Sequence, residues 1–164
     1  MLPITFTNDG FTAIDLAQDD PMVITMEINK FTITKVLVGQ GSSVDILYLK
    51  TFRKMRILKT KIQPFDKQIV GFSGERVDTK GFIDLYPTFG EEGCLSKTIK
   101  IRYLWVNANT SSNILLGRSS INRLKAIVST AHLAMKFLST GPVILSRFMW
   151  IRKLLVNVMP QADD

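Results

Sequence analysis

Cysteine and histidine are almost missing from this chain: Cys94 and His132 each stand alone among 164 residues. One cysteine supplies no disulfide framework and no thiolate cluster for zinc, and it fits a reducing compartment. One histidine leaves no His–Cys or His–carboxylate set to assemble, so no metal and no cofactor are expected. Cys94 follows Glu91, Glu92 and Gly93 in a turn, without the cationic neighbourhood that lowers a thiol pKa. Ser42, Ser43 and His132 are residue types of a nucleophile and its base, but no elbow motif surrounds the serines. Ordinary surface or core placement is the expectation for them.

Long apolar runs are missing too. No uninterrupted stretch reaches the ~18–20 residues of a membrane helix, so no span is expected. Met1 to Thr7 lacks the basic start and apolar run of a secretory signal. The expectation is an intracellular protein, cytoplasmic or nuclear. Acids are absent from one segment, where Lys50, Arg53, Lys54, Arg56, Lys59 and Lys61 follow one another. These cations are the densest source of the net charge of +7. Phe52 is the one aromatic there that could stack on a base, so the segment reads as a solvated helix face and no specific nucleic-acid partner is expected.

What is present is an ordinary apolar share of 46% in a length that suits one domain. Ile4 to Thr7 alternates as a strand does, and Asn8-Asp9-Gly10 marks a turn. Met22 to Ile28 and Phe31 to Val38 read as a hairpin joined by Asn29-Lys30. Ile46 to Leu58 carries apolar residues at helical spacing and predicts a short amphipathic helix. Ile69 and Val70 start a strand that reaches Gly71-Phe72-Ser73-Gly74-Glu75, a hairpin tip. Gly81 to Phe89 and Thr98 to Val106 predict two strands separated by the turn Gly90 to Gly93. Ile114-Leu115-Leu116-Gly117 is a compact apolar run, and Ser119 or Ser120 caps a predicted helix to Leu124. Ala126 to Ser129 and Leu133 to Phe137 follow as strands. Hairpins at this density with few helices predict an all-β, barrel-like architecture.

The chain is organised around Val36 to Leu47. Apolar residues run into Gly39-Gln40-Gly41, then Ser42-Ser43, then another apolar run. A buried strand delivering a glycine-bracketed loop is what such a stretch predicts. It is not a dinucleotide loop, because the third glycine of Gly-x-Gly-x-x-Gly would fall at Val44. Nor does Gly-Lys-Ser/Thr, the phosphate-loop ending, occur. The stretch resembles the active-site loop of retroviral-type aspartic proteases (retropepsins), which reads apolar-apolar-Asp-Thr/Ser/Gly-Gly-Ser/Ala. In the protease segments of plant gypsy-type retrotransposon polyproteins the loop continues as Ser-Ser-Ala-Asp-Ile-Leu.

Other blocks match that pattern in order between about residues 3 and 137. Asp20-Pro21-Met22-Val23-Ile24-Thr25 to Phe31 resembles the opening hairpin. Val70-Gly71-Phe72-Ser73-Gly74-Glu75 resembles the flap that closes over bound peptide. Asn113-Ile114-Leu115-Leu116-Gly117-Arg118 with Ile121-Asn122 is similar to the segment packed beneath the active-site loop. Ala126 to Thr130, then His132-Leu133 and Met135 to Phe137, resembles the strands after it. The resemblance implies a retropepsin-like closed β-barrel with a flap hairpin over residues 1–140, then a divergent tail, 141–164.

It also implies roles. A retropepsin is a homodimer in which each chain gives one aspartate; two carboxylates about 3 Å apart share a proton and activate a bridging water. Gly39 occupies the aspartate position, Gly41 lets the loop turn, and Ser42 with Ser43 fills the small-residue positions. Phe72, Ser73, Gly74 and Glu75 would cover an extended peptide, and Leu115, Leu116 and Gly117 would support the loop. Glycine supplies neither acid nor base, so no aspartic peptidase activity is expected from this chain alone. The alternatives are activity as a dimer with an intact copy, or a product without function. Asp45, past the turn, is expected to make a local backbone hydrogen bond rather than substitute, and Glu75 to be solvated. Val143 to Met159 near helical spacing leaves three readings: a membrane-surface helix, a docking helix, or a poorly packed tail.

Overall fold

The structure, a computed structural model, describes residues 5–6, 21–71, 73–90 and 96–138, and the backbone of 146–150. Strand β1 (Val23–Ile28) buries Ile24, Met26 and Ile28 on one face, as its period-two pattern requires. Asn29 and Lys30 both take positive φ, the backbone of a two-residue hairpin turn, and return the chain into β2 (Phe31–Gly39). Thr34 and Lys35 oppose the single Thr25, a bulge with Lys35 in the left-handed region.

The chain then crosses to β3 (Asp45–Tyr48), runs into α1 (Leu49–Lys54) and a 3-10 turn (Lys59–Lys61), and forms the small hairpin β4 (Ile69–Val70) and β5 (Arg76–Val77). Strands β6 (Thr79–Leu85), β7 (Thr88–Phe89), β8 (Lys97–Thr98) and β9 (Ile101–Val106) follow. Next come β10 (Ile114–Gly117), α2 (Arg118–Leu124), β11 (Ile127–Ser129), β12 (Ala134–Leu138) and β13 (Ser146–Trp150). Eight strands form one sheet in the order β6-β9-β3-β10-β2-β1-β7-β8, curled as a half-barrel with β6 and β8 outermost. Strands β11, β12 and β13 form a second sheet.

The core fills the curl. Val36, Leu47, Ile114 and Leu116, one or two from each central strand, are fully buried together with Phe89, Tyr103 and Leu124. Phe89 meets Phe137 edge-on with centroids 6.4 Å apart, joining the two sheets. The β-rich architecture with two short α-helices is the one the sequence predicts.

Several boundaries differ. The predicted helix over Ile46 to Leu58 is a helix only for Leu49–Lys54; its first residues belong to β3, where pairing with β9 and β10 overrides their helical spacing. The strand expected from Gly81 breaks at Tyr86-Pro87, and that ending at Val106 breaks between Thr98 and Ile101. Helix α2 starts at Arg118, two residues before the expected point, with Gly117 as N-cap and no side-chain cap bond, so neither Ser119 nor Ser120 caps it. In the tail, Ser146–Trp150 is a strand antiparallel to β12 rather than helix. The turns at 8–10 and 91–93, Cys94, Phe72 and the rest of the tail lie outside the described residues.

Candidate functional site

Strands β2 and β3 are consecutive in the chain, yet β10 lies between them, parallel to β2 and antiparallel to β3. The loop at 40–44 must therefore arch over the end of β10. Gly117 ends β10 directly beneath it, and a Cβ there would sit 2.3 Å from the Val44 carbonyl oxygen and 3.0 Å from that of Ser42. Only glycine permits so close a crossing of backbone over backbone. The Arg118 N–H donates to the Ser42 carbonyl oxygen at 2.8 Å, tying loop to helix.

Within the loop, Ser42 N–H donates to Gly39 C=O at 3.1 Å. The Ser42 hydroxyl donates to Val44 C=O at 2.8 Å and accepts from Val44 N–H at 3.3 Å. Its hydroxyl is thus engaged in closing the loop. Gly41 and Ser43 are exposed on the arch. Gly39 pairs in register with Gly117, and Leu115 and Leu116 pair with Leu37 and Val38. A Cβ on Gly39 would meet the Leu115 Cδ1 methyl at 2.7 Å and otherwise only atoms at 3.7 Å or beyond. One flexible methyl, not backbone, occupies that space.

Asp45 is the residue whose role the sequence misplaces. It is buried, and its Oδ1 accepts the Gly117 N–H at 2.7 Å, across 72 positions of chain rather than locally. Ser120 hydrogen-bonds the same carboxyl. Burial raises the Asp45 pKa, opposed by the Gly117 N–H, the Ser120 hydroxyl and the charge of Arg123. The neighbouring strand β9 places Tyr103 in register with Asp45, and burial with the nearby carboxylate pushes the Tyr103 hydroxyl well above its ordinary value. Asp45 is a clamp between the loop, β10 and α2. No spacing rule in the sequence points to its partner.

A cleft of about 210 Å³ lies beside this clamp, bordered by Ser43, Val44, Phe65, Leu104, Ser119 and Arg123 among others. In the hairpin, Gly71 N–H donates to Glu75 C=O at 2.9 Å and Gly74 N–H to Gly71 C=O at 3.1 Å, with Gly74 at φ +81°. The Ser73 hydroxyl donates to the Glu75 carboxylate, which lowers the pKa of that exposed group. Backbone pairing thus joins Gly39 with Gly117 and the rest of its strand with Leu115 and Leu116, while these hydrogen bonds of Ser73, Gly74 and Glu75 remain inside their own hairpin. Among the described residues no three His, Cys, Asp or Glu side chains converge to hold a metal, and no helix is long and apolar enough to cross a membrane.

No family model matches the chain, and no curated protein matches it by sequence. Solved structures do. The retroviral protease-like domain of Ddi1 from Leishmania major superposes with a TM-score of 0.56 at 12% identity, over 85% of this chain and 99% of that domain. The fold is retropepsin-like. A retropepsin-like aspartic protease from Rickettsia conorii gives a TM-score of 0.49 at 18% identity, over 68% of this chain and 79% of its own. Within the retropepsin-like fold, the arch over β10 is where the sequence resemblance puts the catalytic loop.

Proposed function

We propose that this chain is a degenerate retropepsin-type domain, akin to the protease segments of plant gypsy-type retrotransposons, that lacks peptidase activity and holds an extended peptide by backbone pairing. The observation that carries this reading is Gly39. It ends β2 beside Gly117, at the position of the aspartate in the resembling loop, and offers no carboxylate. A homodimer would bring two such glycines together, with nothing to share a proton or to activate water. General acid–base catalysis alone is typically worth ~10²–10⁴ in rate.

Asp45 does not replace the lost group. Its carboxyl is buried and engaged with the Gly117 N–H and Ser120. Glu75 is exposed on the hairpin and bonded to Ser73. Peptide binding needs no aspartate, because strand addition draws on backbone N–H and C=O groups. The hairpin β4–β5, with Val70 62% exposed, supplies such groups. Incubating the purified protein with a peptide library should give no cleavage; pepstatin-sensitive cleavage would overturn the reading.

A further inference from the structure

Helix α1 and the 3-10 turn after it carry a charge distribution unlike the rest of the molecule. Lys50, Arg53, Lys54, Arg56, Lys59 and Lys61 lie in twelve consecutive residues, and no acid occurs between Asp45 and Asp66. Without these six, the other 15 Lys and Arg nearly balance the 14 acids, so almost the whole net charge of +7 belongs to this strip. Arg53, Lys54, Arg56, Lys59 and Lys61 are all exposed. The ion pairs among the described residues belong to Asp84, with Lys100 and Arg102, and the strip has none. Lys50 alone is tied down, donating to the Thr110 carbonyl oxygen.

The apolar side of the same segment shows that the cations are held in place. Phe52 and Met55 are buried, and Phe52 packs against Trp105 with centroids 5.0 Å apart and the rings tilted by 40°. Arg56 sits at φ 51°, a left-handed position after the helix that usually goes to glycine. Strand β3, four residues and roughly 13 Å long, lies in the chain between the Gly39 loop and the strip.

We propose that this strip binds the phosphate backbone of nucleic acid without regard to sequence. Recognition of this kind requires a row of cations and nothing else, and the contour from Lys50 to Lys61, roughly 25 Å, spans many phosphates of a duplex. The other polyanions fit less well. A vesicle surface needs apolar insertion, and Leu58, 65% exposed, is the one strongly exposed apolar side chain on the strip. An acidic peptide needs a groove or an open strand edge, which a helix and a 3-10 turn do not offer. Burial of Phe52, the aromatic an unpaired base would stack on, favours a duplex over a single strand.

The test is fluorescence anisotropy of the whole protein with a labelled 20-base-pair DNA duplex between 50 and 200 mM salt. Five phosphate contacts predict a fall in affinity of about 500-fold over that range, the same for unrelated sequences. A variant with Arg53, Lys54, Arg56 and Lys59 all changed to Gln should bind at least about 100-fold more weakly at 50 mM salt. A control with Lys30, Lys67, Arg118 and Lys125 changed to Gln removes equal charge from other exposed positions and should retain most of the affinity. Circular dichroism checks that both variants fold. Equal losses in the two variants would overturn the proposal by assigning the effect to net charge alone. Absence of duplex binding at 50 mM salt would overturn it too, as would equal affinity for polyglutamate or for phosphatidylserine vesicles.

Discussion

Two glycines face each other in register at the ends of β2 and β10, and a side chain added to each would meet very different surroundings. At Gly117 the Val44 carbonyl oxygen stands 2.3 Å from the ideal Cβ, and backbone there has no room to retreat because Arg118 N–H holds the loop down. At Gly39 the near neighbour is the end of the Leu115 side chain, which can rotate, and φ is not in the left-handed region. Gly117 is glycine because the crossing of the loop demands it. Nothing in the backbone demands glycine at position 39, which agrees with the proposal that a side chain has been lost there.

The largest effect that can break this contrast is at Gly117. Gly117→Ala should destabilise the chain by about 3 kcal/mol or more in urea unfolding, since overpacking here falls on backbone. A near-neutral result would mean the arch is looser than its hydrogen bonds imply. Asp45→Ala comes next, at about 2 kcal/mol, because the buried Gly117 N–H loses its acceptor.

A smaller effect sharpens the role of Asp45. Burial holds its carboxyl above the ordinary range, so the folded chain keeps a proton that the unfolded chain has already released. Stability should therefore fall as pH rises from about 4 through the raised folded-state value, then level off. Asp45→Asn should remove that part of the pH dependence in parallel urea titrations; an unchanged profile would place the titration elsewhere. Gly39→Ala should change stability least, within about 1 kcal/mol, the Leu115 methyl shift being offset by reduced freedom of the unfolded chain. A loss as large as that at Gly117 would erase the distinction between the two positions.

Much of this was legible in residue order, and what was not has a common cause. The hairpin Val23 to Gly39 could be read because period-two burial and the Asn29-Lys30 turn are local. Ile114 to Gly117 could be read only as a compact apolar run, since its strand pairing is with β2 and β3, distant in sequence. Asp45–Tyr48 could not, because its strand character comes from β9 and β10, more than 50 positions away. The clamp of Asp45 on Gly117 was hidden likewise, and so was the start of α2, which lies under the loop rather than at a capping serine. Motif resemblance singled out the loop and Gly39 as the candidate site, while the clamp beneath it emerged only from contacts distant in sequence.

The proposal that position 39 lacks a catalytic carboxylate is tested most directly by introducing one. Wild type and Gly39→Asp should be compared against the same peptide library at mildly acidic pH, with and without pepstatin. No cleavage by wild type and pepstatin-sensitive cleavage by Gly39→Asp is the result this account predicts. Cleavage by wild type at a rate equal to that of Gly39→Asp would contradict it.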